Sequence, residues 1–448
     1  MDISIIGTGY VGLVSGVCLA EKGHNVFCVD KDIGKVEQIN AGKSPIFEAG
    51  LDKLLENNLG KRFRATSDLS SSILNSEITV LAVGTPFDGT SIDLSFIKQA
   101  TLEIGEVLKN KNGFHIVVVK STVTPGTTDD VVKKLLDDKL KYHKNLEYYV
   151  AMNPEFLREG NAISDFLEPD RVVCGANDER AMSALRKLYN VFEDVEIIET
   201  NCKTAEMIKY TSNSLLAALI SFSNEIANLC STIQDVDVLD VIKGVELDRR
   251  LSPILPDGQR ISPGFLSYLY PGCGFGGSCF PKDIKALASF GKDNGISMAM
   301  LDSIISVNDK QPNQIIDLLE GYFINLAGVK ISILGFAFKP GTDDIRESPS
   351  LPITSSLIEK KAKLTGFDPI AEKEAKSFFG NHGIIFKDSL LEAVSGADAI
   401  VIVTNWPEFE AIPLILSDLK ETPFLVDGRR MLDKESVLNY SGIGIKPS

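Results

Sequence analysis

The chain has 448 residues, 44% of them apolar and 24% charged, with 61 acidic against 46 basic side chains and a formal charge of −15. Those proportions are those of a soluble globular protein with two or three domains. The negative surplus argues against non-specific nucleic-acid binding, but leaves room for an anionic small molecule held locally by Arg, Lys or a helix N-terminus. Apolar runs such as Ala399–Val403 are strand-sized, so no membrane partner is expected. Met1-Asp2-Ile3-Ser4-Ile5 enters a strand without a basic lead-in, which predicts no signal peptide and a cytoplasmic location. Seven scattered cysteines (18, 28, 174, 202, 230, 273 and 279) and four isolated histidines (24, 115, 143 and 382) have no metal-ligand spacing. No metal is expected, and each histidine reads as structural.

In chain order, the first strand, Ile3–Ile6, runs into Gly7-Thr8-Gly9-Tyr10-Val11-Gly12 and a helix from Leu13 to Lys22. Glycines at the first, third and sixth positions suit a tight turn, backbone approach to a pyrophosphate and close helix–strand packing. Asp30, just past the second strand (Asn25–Val29), suits a free ribose 2′-hydroxyl and favours NAD over NADP. Lys31 and Lys35 close by pull the other way, and Lys35 counts among the cofactor-binding candidates.

Further strands are predicted at Ile78–Val83, Ile116–Val119, Tyr148–Ala151 and Val195–Ile198, the alternation of a doubly wound parallel sheet. Polar motifs follow them: Gly84-Thr85-Pro86, Ser121-Thr122 and Asn153-Pro154-Glu155. In such sheets ligands bind off the carboxyl ends of the strands, so these motifs share one rim. Glu155 and Glu159 flank Phe156-Leu157-Arg158; without further context they read as ordinary helix-start carboxylates.

From Lys203 to Ser231 an apolar periodicity without Gly or Pro predicts one long helix. Lys209 and Asn213, four residues apart, share a face of it and suit the polarising of a substrate oxygen; taken alone, a surface lysine is the commoner reading. Leu215, Leu216, Leu219, Ile220, Ile226 and Leu229 give the later part an apolar face, which predicts a homodimer built on this region.

Next comes Gly272-Cys273-Gly274-Phe275-Gly276-Gly277-Ser278-Cys279-Phe280-Pro281-Lys282-Asp283. A free cysteine is most often a small core residue, but glycines permit close approach of a substrate and Asp283 lies one helical turn from Cys279. An alcohol–carbonyl dehydrogenase needs a base rather than a thiol. A thiol becomes useful when an aldehyde must be held, oxidised to a thioester and hydrolysed. Cys279 together with a dinucleotide fingerprint therefore predicts oxidation of an alcohol as far as the carboxylate.

Strand–helix alternation resumes at Ile331–Leu334, Leu364–Phe367, Ala399–Thr404 and Phe424–Val426, with Lys339 to Arg346 and Asp427-Gly428-Arg429-Arg430 after strand ends. The predicted fold class is α/β, two Rossmann-like doubly wound parallel-sheet domains (1–200 and 321–448) joined by a central helical domain (201–320) that carries the cysteine loop and makes the dimer.

These motifs resemble, along nearly the whole chain, the UDP-glucose/GDP-mannose dehydrogenases. The matching segments are Gly7–Leu13, Val83–Pro86, Lys120–Thr124, Asn153–Gly160, Lys203–Asn213, Gly274–Asp283, Gly335–Ser350 and Asp427–Arg430. The resemblance implies NAD as cofactor and a nucleotide hexose oxidised at C6 to the uronate, UDP-glucose before a UDP-N-acetylhexosamine or GDP-mannose. It implies Cys279 as nucleophile, Lys209 and Asn213 as oxyanion stabilisers, and Asp283 and Thr122 as organisers of the hydrolytic water. Glu155 and Glu159 become the acid pair beside the sugar. Phe156, Leu157, Arg158, Gly274, Phe275, Gly276, Lys339, Arg429 and an arginine of the middle region meet the substrate, while Thr85, Pro86, Ser121, Thr122 and Arg346 meet the cofactor. The segment Ser252–Gln259 lengthens the family's usual connection, so that arginine is either Arg250 or, by preference, Arg260. Two rivals remain. A two-electron 3-hydroxyacid dehydrogenase leaves Cys279 and the third domain unexplained, and a silent nucleotide-sugar-binding protein leaves Cys279, Lys209 and Asp283 unexplained.

Overall fold

In the computed structural model, which describes residues 1–380, 382–420 and 422–446, the chain divides into two compact units, Met1–Ser212 and Asn213–Ser448. The first carries eight strands: β1 (Asp2–Ile6), β2 (Asn25–Val29), β3 (Phe63–Thr66), β4 (Ile78–Leu81), β5 (Gly113–Val119), β6 (Leu146–Met152), β7 (Arg171–Gly175) and β8 (Glu196–Thr200). They lie in the order β3-β2-β1-β4-β5-β6-β7-β8. Neighbours are parallel except β6 and β7, which meet antiparallel at Met152 and Gly175.

Period-two alternation distributes these strands between two cores. Ile3 and Ile5 join Leu13 and Val17 on one face, while Ile6 joins Leu81 and Val119 on the other. Such double coverage is what a parallel sheet requires. A buried polar chain crosses its middle: Ser4 to Thr79 at 2.7 Å, Thr79 to His115 at 2.8 Å, and His115 to the Ser76 carbonyl at 3.2 Å. Burial pushes His115 down to about 3, so it is a neutral structural group, as the sequence predicts.

Strand order reverses between β1 and β4, which opens the crevice at their carboxyl ends. Ile6 aligns with Val29 and with Leu81, so Gly7, Asp30 and Ala82 leave the sheet side by side.

The second unit repeats the topology with β9 (Lys330–Leu334), β10 (Lys363–Phe367), β11 (Ile384–Phe386), β12 (Ala399–Ile402), β13 (Phe424–Asp427) and β14 (Tyr440–Gly442). All neighbours are parallel in the order β11-β10-β9-β12-β13-β14. Its helical part includes Val238–Glu246, Phe280–Asp293 and Ala299–Tyr322. The expected long helix spans Cys202–Cys230, within a residue of prediction at each end. At 1.5 Å per residue it runs about 43 Å, and the boundary between the units falls inside it. Among the described residues no helix is long and apolar enough to cross a membrane.

Candidate active site

The cradle for a dinucleotide is built on β1 and the helix Tyr10–Glu21. Gly7 has φ +103°, and a Cβ there would stand 2.6 Å from the Ala82 carbonyl oxygen. A Cβ on Gly12 would be 1.9 Å from the Gly7 oxygen, so both glycines are required by backbone approach. Gly9 differs: nothing lies within 4 Å of its Cβ position. It is the N-cap of a helix with no side-chain cap, so open space and unclaimed N–H groups coincide where a pyrophosphate would sit. Val11 opens that helix beside Tyr10.

Asp30 accepts from the Thr8 amide at 2.9 Å, the Thr8 hydroxyl at 2.5 Å and the Asp32 amide at 3.0 Å. Burial pushes its carboxyl up, but the Thr8 hydroxyl, the two amides and Lys35 outweigh burial and hold it below the ordinary carboxylate range. Asp30 is thus an anchored carboxylate at the second strand end. On the same rim, Thr85 donates to the Thr122 carbonyl at 2.8 Å and Ser121 to the Val83 carbonyl at 2.6 Å. The Pro86 carbonyl accepts from the Asp93 amide at 2.8 Å.

Glu155 and Lys209 meet in an ion pair of 3.0 Å with each side chain only 4% exposed. The Leu157 amide donates to the second carboxylate oxygen at 2.6 Å. Burial alone would raise the Glu155 acid; the charge and hydrogen bond of Lys209, the Leu157 amide and the charge of Lys120 bring it below its usual value. Phe156 completes the clamp, with Arg171 4.0 Å and Lys209 5.4 Å from its ring centre. Lys209 is therefore no surface lysine. Glu159 is half-buried at the far end of this loop, and Arg158 turns its guanidinium onto Asp165 at 2.6 Å.

In the second unit, Cys279 caps the helix Phe280–Asp293, where Pro281 presets the first turn and the helix dipole favours an anion. Its thiol is half-buried, 3.6 Å from the Ser278 hydroxyl. One turn on, Asp283 is wholly buried and accepts from the Asn213 amide at 2.7 Å and Lys282 at 2.5 Å. Asn213 and Lys209 share the long helix, four residues apart.

The glycines ahead of Cys279 let this loop pack where no side chain fits. A Cβ on Gly276 would be 2.2 Å from the Glu347 carbonyl oxygen, and one on Gly277 2.8 Å from the Phe338 ring. Phe275 is pinned through its backbone to both ends of the Asn308 amide, at 2.8 and 3.0 Å. Arg429 donates to the carbonyls of Gly274 at 3.0 Å and Val403 at 2.6 Å, so it braces the loop. Lys339 lies 5.5 Å from the centre of the Phe338 ring against which Gly277 packs.

Three more arginines are turned to local partners. Arg346 forms a two-pronged contact with Asp344, at 2.8 and 2.7 Å. Arg260 donates to the Leu247 and Ser252 carbonyls, each at 2.9 Å, closing the inserted segment onto the preceding helix; Arg250 pairs with Asp248.

Three polar residues of the first unit have structural weight that the sequence reading did not assign. Lys120 is buried and donates to Asn153 at 2.8 Å, and Tyr189 also donates to that oxygen. Burial brings the Lys120 ammonium down to about 8 against the pull of Glu155. Glu48 accepts from Tyr10 and from the amides of Gly160 at 2.7 Å and Ala162 at 2.8 Å, tying the fingerprint helix to the Glu155–Gly160 loop. Glu206 is buried among three donors.

Three family models match the chain in sequence: the NAD binding domain of the UDP-glucose/GDP-mannose dehydrogenase family over residues 1–193, its central domain over 203–310, and its UDP binding domain over 332–434. A UDP-glucose 6-dehydrogenase of Haloferax volcanii is 38% identical over 448 residues, 99% of this chain and 100% of that one. Among solved structures, a UDP-glucose dehydrogenase from Pyrobaculum islandicum is similar with a TM-score of 0.89 and 35% identity, covering 99% of this chain and 97% of that one. A UDP-D-ManNAc dehydrogenase from Pyrococcus horikoshii is similar with a TM-score of 0.81 and 27% identity, covering 99% of each.

Proposed function

The chain belongs to the UDP-glucose/GDP-mannose dehydrogenase family, and from that premise we propose that it oxidises UDP-glucose at C6 to UDP-glucuronate. It is an NAD-dependent enzyme, and NAD held at Gly7–Gly12 and Asp30 would accept one hydride per molecule, so two NAD molecules in turn would serve the two oxidations. The observation that carries the four-electron reading is Cys279 at a helix start, one turn from a buried Asp283 already bonded to Asn213.

In this reading Glu155, held ionised, orients Lys209, whose ammonium donates to the C6 oxygen, while the C6 hydroxyl proton leaves to the water held by Thr122 and Asp283 as the C6 hydride departs. After the first oxidation the Cys279 sulfur bonds to the aldehyde carbon, and Lys209 and Asn213 stabilise the oxygen that takes up the carbonyl electron pair. After the second oxidation a water held by Thr122 and Asp283 adds to the thioester carbon. The C–S bond breaks, the carboxylate leaves and the thiol is restored. Glu159 with the backbone of Phe156, Leu157 and Arg158 lines the sugar; Gly274, Phe275 and Gly276 take the nucleotide, and Lys339, Arg429 and either Arg250 or Arg260 meet its phosphates or sugar. A panel of UDP-glucose, UDP-N-acetylhexosamines and GDP-mannose with NAD tests the assignment. UDP-glucose should give the highest kcat/KM, and a preference for another member would displace it.

Asp30 yields a prediction on cofactor choice. Asp30→Ala removes a charge-assisted hydrogen bond to the ribose and should weaken NAD binding by ~1.5–3 kcal/mol, measured by calorimetric titration. NADP should become relatively more acceptable; a wild type that already prefers NADP contradicts the role.

Assembly is a homodimer in this account. Leu215, Phe222 and Leu229 recur every seventh residue on the long helix and are 60%, 54% and 58% exposed, a stripe suited to a second copy. Light scattering at micromolar concentration should give about twice the chain mass of 48.8 kDa, and an active monomer would refute it. We place the enzyme in the cytosol, where Cys279 stays reduced.

A further inference from the structure

Among the described buried carboxylates, Glu206 is one that the mechanism above does not use. It lies on the long helix, three residues before Lys209, and is fully buried. Both of its oxygens are engaged by one short piece of chain: the Gly126 amide donates to one at 2.5 Å, and the Thr128 amide and hydroxyl donate to the other at 2.8 and 2.7 Å. That piece is the turn just after Thr122. It closes with the Thr127 amide and hydroxyl on the Thr124 carbonyl, at 3.0 and 2.7 Å, and reverses at Gly126 with φ +100°. Directly behind it a π-helical stretch runs from Thr127 to Lys133.

We propose that Glu206 is a positioning residue: its carboxylate clamps the Thr124–Thr128 turn to the long helix and so holds Thr122 in register with Lys209, one helical turn further on. The role rests on the function proposed above, in which Lys209 and Thr122 serve the same reacting carbon.

Three donors on two oxygens fit the ionised carboxylate. A protonated acid carries a hydrogen on one oxygen, so one of the donors then loses its acceptor. Burial pushes the Glu206 acid up to about 7, with Thr128 and Gly126 pulling it down and Asp129 adding to the rise. Among the described residues, the charged and titratable groups that act on it are Asp129 from the turn side and Cys202 and Lys203 from the helix. Lys203 pairs with Asp130 at 2.9 Å, Asn177 holds Asp129 at 2.8 Å, and burial keeps the Cys202 thiol neutral by pushing it up. The clamp therefore tightens as pH rises through neutrality and loosens below it.

Glu206→Gln reproduces the uncharged form at every pH, since its amide nitrogen opposes a donor whichever way it is turned. With the nucleotide sugar the wild type oxidises, kcat of Glu206→Gln should fall between about tenfold and a hundredfold, the range expected of a small misplacement. Wild-type kcat should decline below about pH 7, and the variant should lack that limb. Thr128→Val removes one donor and should move the limb to higher pH. Wild-type kcat with an unaltered limb in Glu206→Gln, or an unmoved limb in Thr128→Val, would overturn the proposal. Hydrogen exchange on the free protein at pH 8 tests the clamp without turnover: peptides covering residues 124–130 should exchange faster in Glu206→Gln, and equal protection would overturn it. If the wild type oxidises no nucleotide sugar, the function proposed above falls, while the exchange result still decides the clamp.

Discussion

Cys279→Ser should abolish net turnover, by at least about a thousandfold, while leaving a folded protein that binds NAD normally. The reasoning is chemical. A serine hydroxyl forms its nucleophilic anion far less readily than a thiol, and the resulting ester is a poorer acyl donor to water than a thioester. Nothing in the fold opposes the change, since the side chain is half-buried at a helix cap and serine is nearly isosteric. Stopped-flow absorbance at 340 nm with saturating UDP-glucose reads the result. Full steady-state activity in the variant would remove the covalent route.

Lys209→Met should lower kcat by about a hundredfold to a thousandfold, the scale for losing one donor to a developing oxyanion. It should also destabilise the protein by about 3–5 kcal/mol, because Glu155 would keep its buried charge without its nearest partner. Lys120 puts the expected value toward the lower end, being a second buried cation that acts on the same carboxylate. The sign with pH follows from the direction of the shift. Glu155 is held below its ordinary value, so its contribution to stability is present at neutral pH and is lost as pH falls through the lowered value. Denaturant melts at pH 7 and at pH 4 should therefore separate wild type from variant more widely at pH 7. Equal stability at both values would mean that the pair carries no net energy.

Much of this was legible before any coordinates. The rim motifs could be placed because each follows an apolar strand, and the long helix because its periodicity runs uninterrupted by Gly or Pro. What escaped had weak local signals. Strands β3, β7, β11 and β14 are three to five residues long, and β7 offers only Val172, Val173 and Cys174 as an apolar run. Glu206 and Glu48 carry no local signal, because their donors lie 38 to 114 residues away in sequence. Lys120 opens the Lys120–Thr124 motif, but its role comes only from its burial beside Asn153 and Glu155. The preference for Arg260 over Arg250 rested on spacing alone; the structure adds that Arg260 spends one nitrogen on the Leu247 and Ser252 carbonyls, a local bracing that spacing does not reveal.

The central claim is that one protein carries an alcohol through the aldehyde to the acid, and the ratio of NADH formed to UDP-glucose consumed tests it most directly. With limiting UDP-glucose and excess NAD, the account predicts two equivalents of NADH and UDP-glucuronate as the product. One equivalent of NADH with a free aldehyde would contradict it.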